Sequence, residues 1–269
     1  LSAEEKASVD NVSELLLNGL TFASPAEKEL KRNLYSGALS LMLTSKEDLS
    51  KVKQKLPGLV YLNGGVKKLF RKPEKFAQNY NELLDYLKES TPSKDAETVE
   101  VTLLENLAKF PALLSEGKEK VEDSINDMVS DITDEFGEIG NLKEKLLDAA
   151  SRYPFLYAAD SGFVMRNLSG KGSLSSFVNN LFAQNGWISE QTNLLTPNEH
   201  LELAFEVPSL FASADSMKNA FVEKDNELSK YSCLAIYENI SPSEFLNSIK
   251  KEPRILKMNN KTFSVRVLS

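Results

Sequence analysis

The stretch KVEDSINDMVSDITDEF, residues 120 to 136, constrains the fold more than any other part of the chain. Val121, Ile125, Met128, Ile132 and Phe136 recur in it at spacings of four, three, four and four residues. At 3.6 residues per turn these side chains share one face opposite a charged one, which predicts an amphipathic helix packed in a bundle. SPAEKELKRNLYSGALSLML, upstream, carries a second helix signal. Ser24 is placed to cap, Pro25 stands at the first helical position, and Glu27 lies at the capping-box offset. The Ser-Pro pairs at Ser24 and Ser241 are both followed by Glu at that offset, so both are read as helix starts rather than as phosphorylation sites. A helical interaction domain is expected over residues 1–140.

Composition removes several function classes. The net charge of -7 argues against a nucleic-acid binder, whose surface must be dominated by clustered Lys and Arg. Cys233 is the only cysteine and His200 the only histidine. No intrachain disulfide and no cysteine-built zinc site can form, and any nucleophile–histidine pair would have to use His200. Neither residue lies in a recognisable motif, so both are read as structural, and no metal is expected. YLNGGVKKLF and SGKGS lack the Gly-Lys-Ser/Thr step of a phosphate loop. With no apolar run near the ~18 residues of a membrane span, and nothing resembling a signal peptide, a soluble protein is expected.

Charge is segregated within the helical half. Eight cations between Lys51 and Lys75 face one acid, Glu74, whereas Glu116 to Glu138 holds nine acids and two lysines. These are either two solvated faces that attract each other or a docking surface for a partner protein.

Past residue 140 the expectation changes to a mixed domain, 141–269, with a small, largely antiparallel sheet. The fold class read from the sequence is therefore α+β. HLELAFEV alternates Leu201, Leu203, Phe205 and Val207 with other residues before Pro208, as a strand does. CLAIYENI is a short apolar strand, SPSEFLNSIKKE a capped helix, and RILKM with TFSVRV a hairpin turning at Asn259 and Asn260.

Taken together, KLLDAASRYPFLYAADSGFVMRNLSG, LFASADSMKNAF and EPRILKMNNKTFSVRV resemble the three blocks of the ADP-ribosyltransferases of the Arg-Ser-Glu class, the group of binary-toxin subunits and phage-packaged transferases. The resemblance implies that Arg166, at a strand end, and Ser213 bind NAD, and that Glu252 is the first glutamate of the catalytic pair. Arg254 stands where the family carries its catalytic glutamate, Asn167 replaces a glycine, and Ala214 and Asp215 replace Thr and Ser. Cleavage of the nicotinamide–ribose bond develops positive charge, and a guanidinium beside it opposes what a carboxylate would stabilise.

The reading that follows is a non-catalytic or weakly catalytic transferase-like protein, a virion or effector component acting through protein contacts of its helical half. In that reading it needs no cofactor. An active transferase would use NAD, with Glu252 brought in by a shifted register. A structural or adhesive surface protein without a nucleotide site is the third reading.

Overall fold

The structure, a computed structural model, describes residues 1–44, 69–169, 197–206 and 208–211. These residues form two compact units. The first comprises Leu1–Ser130 and Gly140–Asp160, and the second Asp131–Ile139 and Ser161–Ser269.

In the first unit, helices α1 (Ala3–Leu17) and α2 (Pro25–Thr44) pack as a pair. The Ser2 hydroxyl accepts from the Glu5 amide, and the Glu5 carboxylate accepts from the Ser2 amide, so α1 starts on a complete capping box. At α2 the Ser24 hydroxyl accepts from the Glu27 amide as expected, but the Glu27 carboxylate takes the Ala23 amide instead of that of Ser24. Arg32 bridges to Glu14 at 2.5 Å, and the Ser13 and Ser36 hydroxyls meet at 3.1 Å, fixing the register of the pair.

Helices α3 (Pro73–Ser90) and α4 (Ala96–Lys109) close the layer, α1 lying on α3 and α2 on α4. The core between them is built from Leu39, Phe76, Tyr80, Leu83, Leu103 and Leu107, all at most 1% exposed. Asp95 caps α4 by accepting from the Thr98 amide at 2.8 Å.

Helix α5 (Ala112–Phe136) is broken at Gly117, whose φ of 75° and ψ of -177° only glycine adopts readily. Beyond the break Val121, Ile125, Met128 and Ile132 are fully buried, as the spacing predicts. The boundary between the two units falls in this helix, after Ser130. Helix α6 (Leu142–Arg152) and the 3-10 turn Pro154–Ala158 complete the first unit, where the Ser124 hydroxyl donates to the Ala159 carbonyl at 2.6 Å.

The described part of the second unit holds α7 (Ser161–Ser169), α8 (Pro197–Glu206) and the 3-10 turn Pro208–Phe211, which pack on one another. Here the structure corrects the sequence expectation. An α+β fold with an antiparallel sheet is not supported, because the described residues are helical and contain no strand. Leu201 to Phe205 alternate, but His200, Leu201, Leu203 and Ala204 are the buried positions, an i, i+1, i+3, i+4 set that belongs to a helix face. Pro197 starts that helix and Pro208 opens the following turn. The strands expected at CLAIYENI and in the C-terminal hairpin lie outside the described residues.

Candidate functional site

Arg166 lies in the last turn of helix α7, not at the end of a strand, and it is exposed. Its neighbour Asn167, at the position where the resemblance expects a glycine, is buried and works structurally. The Asn167 side-chain amide donates to the Phe163 carbonyl one turn back at 2.8 Å and to the Phe211 carbonyl at 3.4 Å, tying α7 to the 3-10 turn. Ser213, Glu252 and Arg254 lie outside the described residues.

His200 is buried at 2% exposure, with Nδ1 2.7 Å from the Leu168 carbonyl. A carbonyl can only accept, so Nδ1 carries the proton, and the ring satisfies an acceptor at the C-terminal end of α7. Burial pulls its pKa below the ordinary imidazole value, which the hydrogen bond to Leu168 only partly offsets. A neutral ring held in this way is a packing element of the second unit. The structural reading of the lone histidine fits this geometry.

The main polar cluster of the first unit centres on Glu100 of α4. Its Oε1 accepts from the Tyr35 hydroxyl at 2.5 Å and from the Tyr80 hydroxyl at 3.1 Å, while Oε2 takes the Lys31 ammonium. Burial pushes this carboxyl up, but the three donors and the Lys31 charge outweigh it and hold the group below its ordinary range. Both phenols are shifted upward, chiefly by burial and also by the carboxylate they face. Tyr35 and Tyr80 also stack edge to face at a centroid distance of 6.1 Å. With two buried phenols and a lysine donating to it, Glu100 has three of the roughly four acceptor positions of its carboxylate taken from within the protein. It is a clamp that fixes α2 on α3 and α4, not a general base facing a substrate.

A nearby half-open cavity, lined by Leu87, Thr91, Leu103 and Tyr157 among others, has a volume of about 20 Å³, which suits a single water. Among the described residues no group of three or more His, Cys, Asp or Glu side chains converges.

What the clamp holds in place is the outer face of α2. Leu30, Leu34, Gly37 and Leu41 follow one another at four, three and four residues, on the side of the helix opposite the buried Tyr35, Leu39 and Met42. Leu30 is 71% exposed, Leu34 38% and Leu41 60%. From Asn33 to Thr44 the helix carries no Asp, Glu, Lys or Arg, in a chain that is 26% charged.

A helix with one face in water ordinarily alternates an apolar stripe with a charged one, and this helix has apolar stripes on both sides. A Cβ added at Gly37 would meet nothing within 4 Å, so the middle of the face is open. At its C-terminal end an open groove of about 580 Å³ runs between α2 and α4, lined by Leu41, Thr44, Glu105, Ala108 and Lys109. Reading SPAEKELKRNLYSGALSLML for its cap alone misses this face. The signal was the charge-free run together with a second leucine series out of phase with the core series.

The segregated charge, read either as two solvated faces or as a docking surface, lies partly outside the described residues. Arg71, Lys72 and Lys75 are exposed, and Lys51 to Lys68 lie outside the described residues. Among the described residues no helix is long and apolar enough to cross a membrane. Compared with known proteins, the chain matches no family model, no curated protein and no solved structure.

Proposed function

We propose that this chain works by binding protein, without catalysis of its own, and that the outer face of α2 is its docking surface. One observation carries the reading: a helix face, uncharged from Asn33 to Thr44, that presents Leu30, Leu34 and Leu41 to solvent on a helix already anchored along its other side. Leucines exposed singly are common, but three in register along one helix face are what a helix-in-groove contact uses. The clamp at Glu100 supports the same reading, since a docking face gains affinity when its backbone is held before the partner arrives. The non-catalytic half of the proposal is supported by the replacements at Ala214, Asp215 and Arg254, and by the helical setting of Arg166.

A photoreactive benzophenone side chain at position 34, introduced in the cell that makes the protein, tests the proposal. A covalent adduct of discrete mass at position 34, absent when the probe sits at exposed Glu89, is the expected result. No adduct at position 34 above the Glu89 background refutes the docking surface.

A further inference from the structure

We infer that the occupant of this face is a second copy of the chain, its α2 lying antiparallel across a two-fold axis at Gly37. The inference rests on the docking surface just proposed and names its partner.

The argument starts from the ends of the face. At the N-terminal end Leu30 is, among the described residues, the most exposed of the large apolar side chains, a knob. At the C-terminal end the groove lined by Leu41, Thr44, Glu105, Ala108 and Lys109 is a hole. Leu30 and Thr44 are equidistant in sequence from Gly37. A two-fold axis through Gly37 therefore places Leu30 of each copy at Thr44 of the other and seats each knob in the partner copy's groove. Such a contact is isologous and closes on itself, so it makes a dimer rather than a filament.

The middle of the face fits the same arrangement. Gly37 has open space where a Cβ would stand, and its neighbours on that side, Asn33 and Ser40, are small and uncharged, so two helices can approach closely there. Leu34 of one copy then falls opposite Ser40 and Leu41 of the other. Charge falls only at the ends. Glu27, three residues before Leu30, is the charge that shares its face, and Lys109 lines the groove, so the antiparallel pairing turns Glu27 toward Lys109 of the second copy. Antiparallel helices also oppose their dipoles favourably.

A parallel pair would instead put knob on knob and leave both grooves empty. A contact of about 20 Å of helix per copy buries on the order of 1,000 Å² in total, at the small end of stable interfaces, so the dimer is expected to be concentration-dependent.

Sedimentation equilibrium on the full chain, from about 1 to 200 µM, is the first arm of the test. The expected result is a monomer–dimer equilibrium that Leu34→Lys weakens at least tenfold. Lys109→Glu should also weaken it. In a Cys233→Ser background, Gly37→Cys should form an intermolecular disulfide on mild oxidation. Leu30→Cys, about 21 Å along the helix axis from its symmetry mate, should not.

A chain that stays monomeric across this range, a dimer indifferent to Leu34→Lys, or cross-linking at Leu30→Cys but not at Gly37→Cys would each overturn the second copy as occupant. The benzophenone at position 34 separates the two failures. An adduct with a different protein ends the dimer and leaves the docking surface, whereas no adduct at all ends both.

Discussion

Glu100 offers the sharpest test of how the first unit is held together. Glu100→Ala removes the acceptor for two phenols, Tyr35 and Tyr80, which are 2% and 1% exposed and cannot turn to water. Leaving a buried hydroxyl without a partner costs about 1–3 kcal/mol, so the pair costs about 2–6 kcal/mol. Lys31 adds little, because its side chain is 24% exposed and its ammonium can swing to solvent. The expected loss is about 4 kcal/mol, a large part of the stability of an ordinary domain.

Glu100→Gln keeps an oxygen where both phenols need it and loses only the charge, so it should cost about 1–2 kcal/mol. Chemical denaturation of the two variants, monitored by far-ultraviolet circular dichroism, gives both numbers. In a Tyr35→Phe background the penalty of Glu100→Ala should shrink, since one orphan is already gone. The pH dependence has a definite sign. The folded carboxyl lies below its ordinary value, so its contribution is present above about pH 4.5 and is lost as pH falls through the folded pKa. Glu100→Gln should remove that part of the acid sensitivity. If Ala and Gln cost the same, or Ala costs under about 1 kcal/mol, the clamp does not hold α2 and the reasoning fails.

Three further predictions follow from other positions. Gly117→Ala should destabilise the first unit by about 1–3 kcal/mol through backbone strain alone, because nothing lies within 4 Å of the added methyl, and a thermal scan unchanged within error would show that the break at φ 75° is not required. His200 is neutral in the fold, with its pKa below the ordinary 6.5, so the unfolded chain takes up a proton first and stability should fall below about pH 6.5, by at most about 1.4 kcal/mol per pH unit. His200→Gln should flatten that slope, and an unchanged slope would place the sensitivity elsewhere. Calorimetric titration with NAD should show no binding stronger than millimolar. Micromolar affinity abolished by Arg166→Ala would revive the transferase reading.

The helical half was legible because its signals reinforce one another. At Ser24 a cap, a proline at the first position and Glu27 all mark the same start, and from Val121 to Ile132 the apolar spacing admits one face only. The stretch from His200 to Val207 misled because alternation over so few residues fits strand and helix alike. Thr196-Pro197-Asn198-Glu199 repeats the Ser24-to-Glu27 start pattern, and giving that cap more weight than the alternation points to the helix. A short motif resemblance sets Arg166 at a strand end, but it carries no information on the local periodicity. Val164, Asn167 and Leu168, three and four residues apart, are the buried face of a helix. The clamp at Glu100 could not be read in advance, because Lys31, Tyr35, Tyr80 and Glu100 converge only once three helices have packed.

The central claim, that the second leucine series of α2 faces a partner and not the chain's own core, is tested most directly by equilibrium unfolding of a triple variant, Leu30→Lys, Leu34→Lys and Leu41→Lys, at a concentration low enough for wild type to be monomeric. If the face is a docking surface, all three lysines project into water, and the unfolding free energy stays within about 0.5 kcal/mol of wild type per substitution. If the face belongs to the fold, burying the ammonium groups or forcing them out of a packed core costs several kcal/mol. A loss above about 4 kcal/mol would contradict the account.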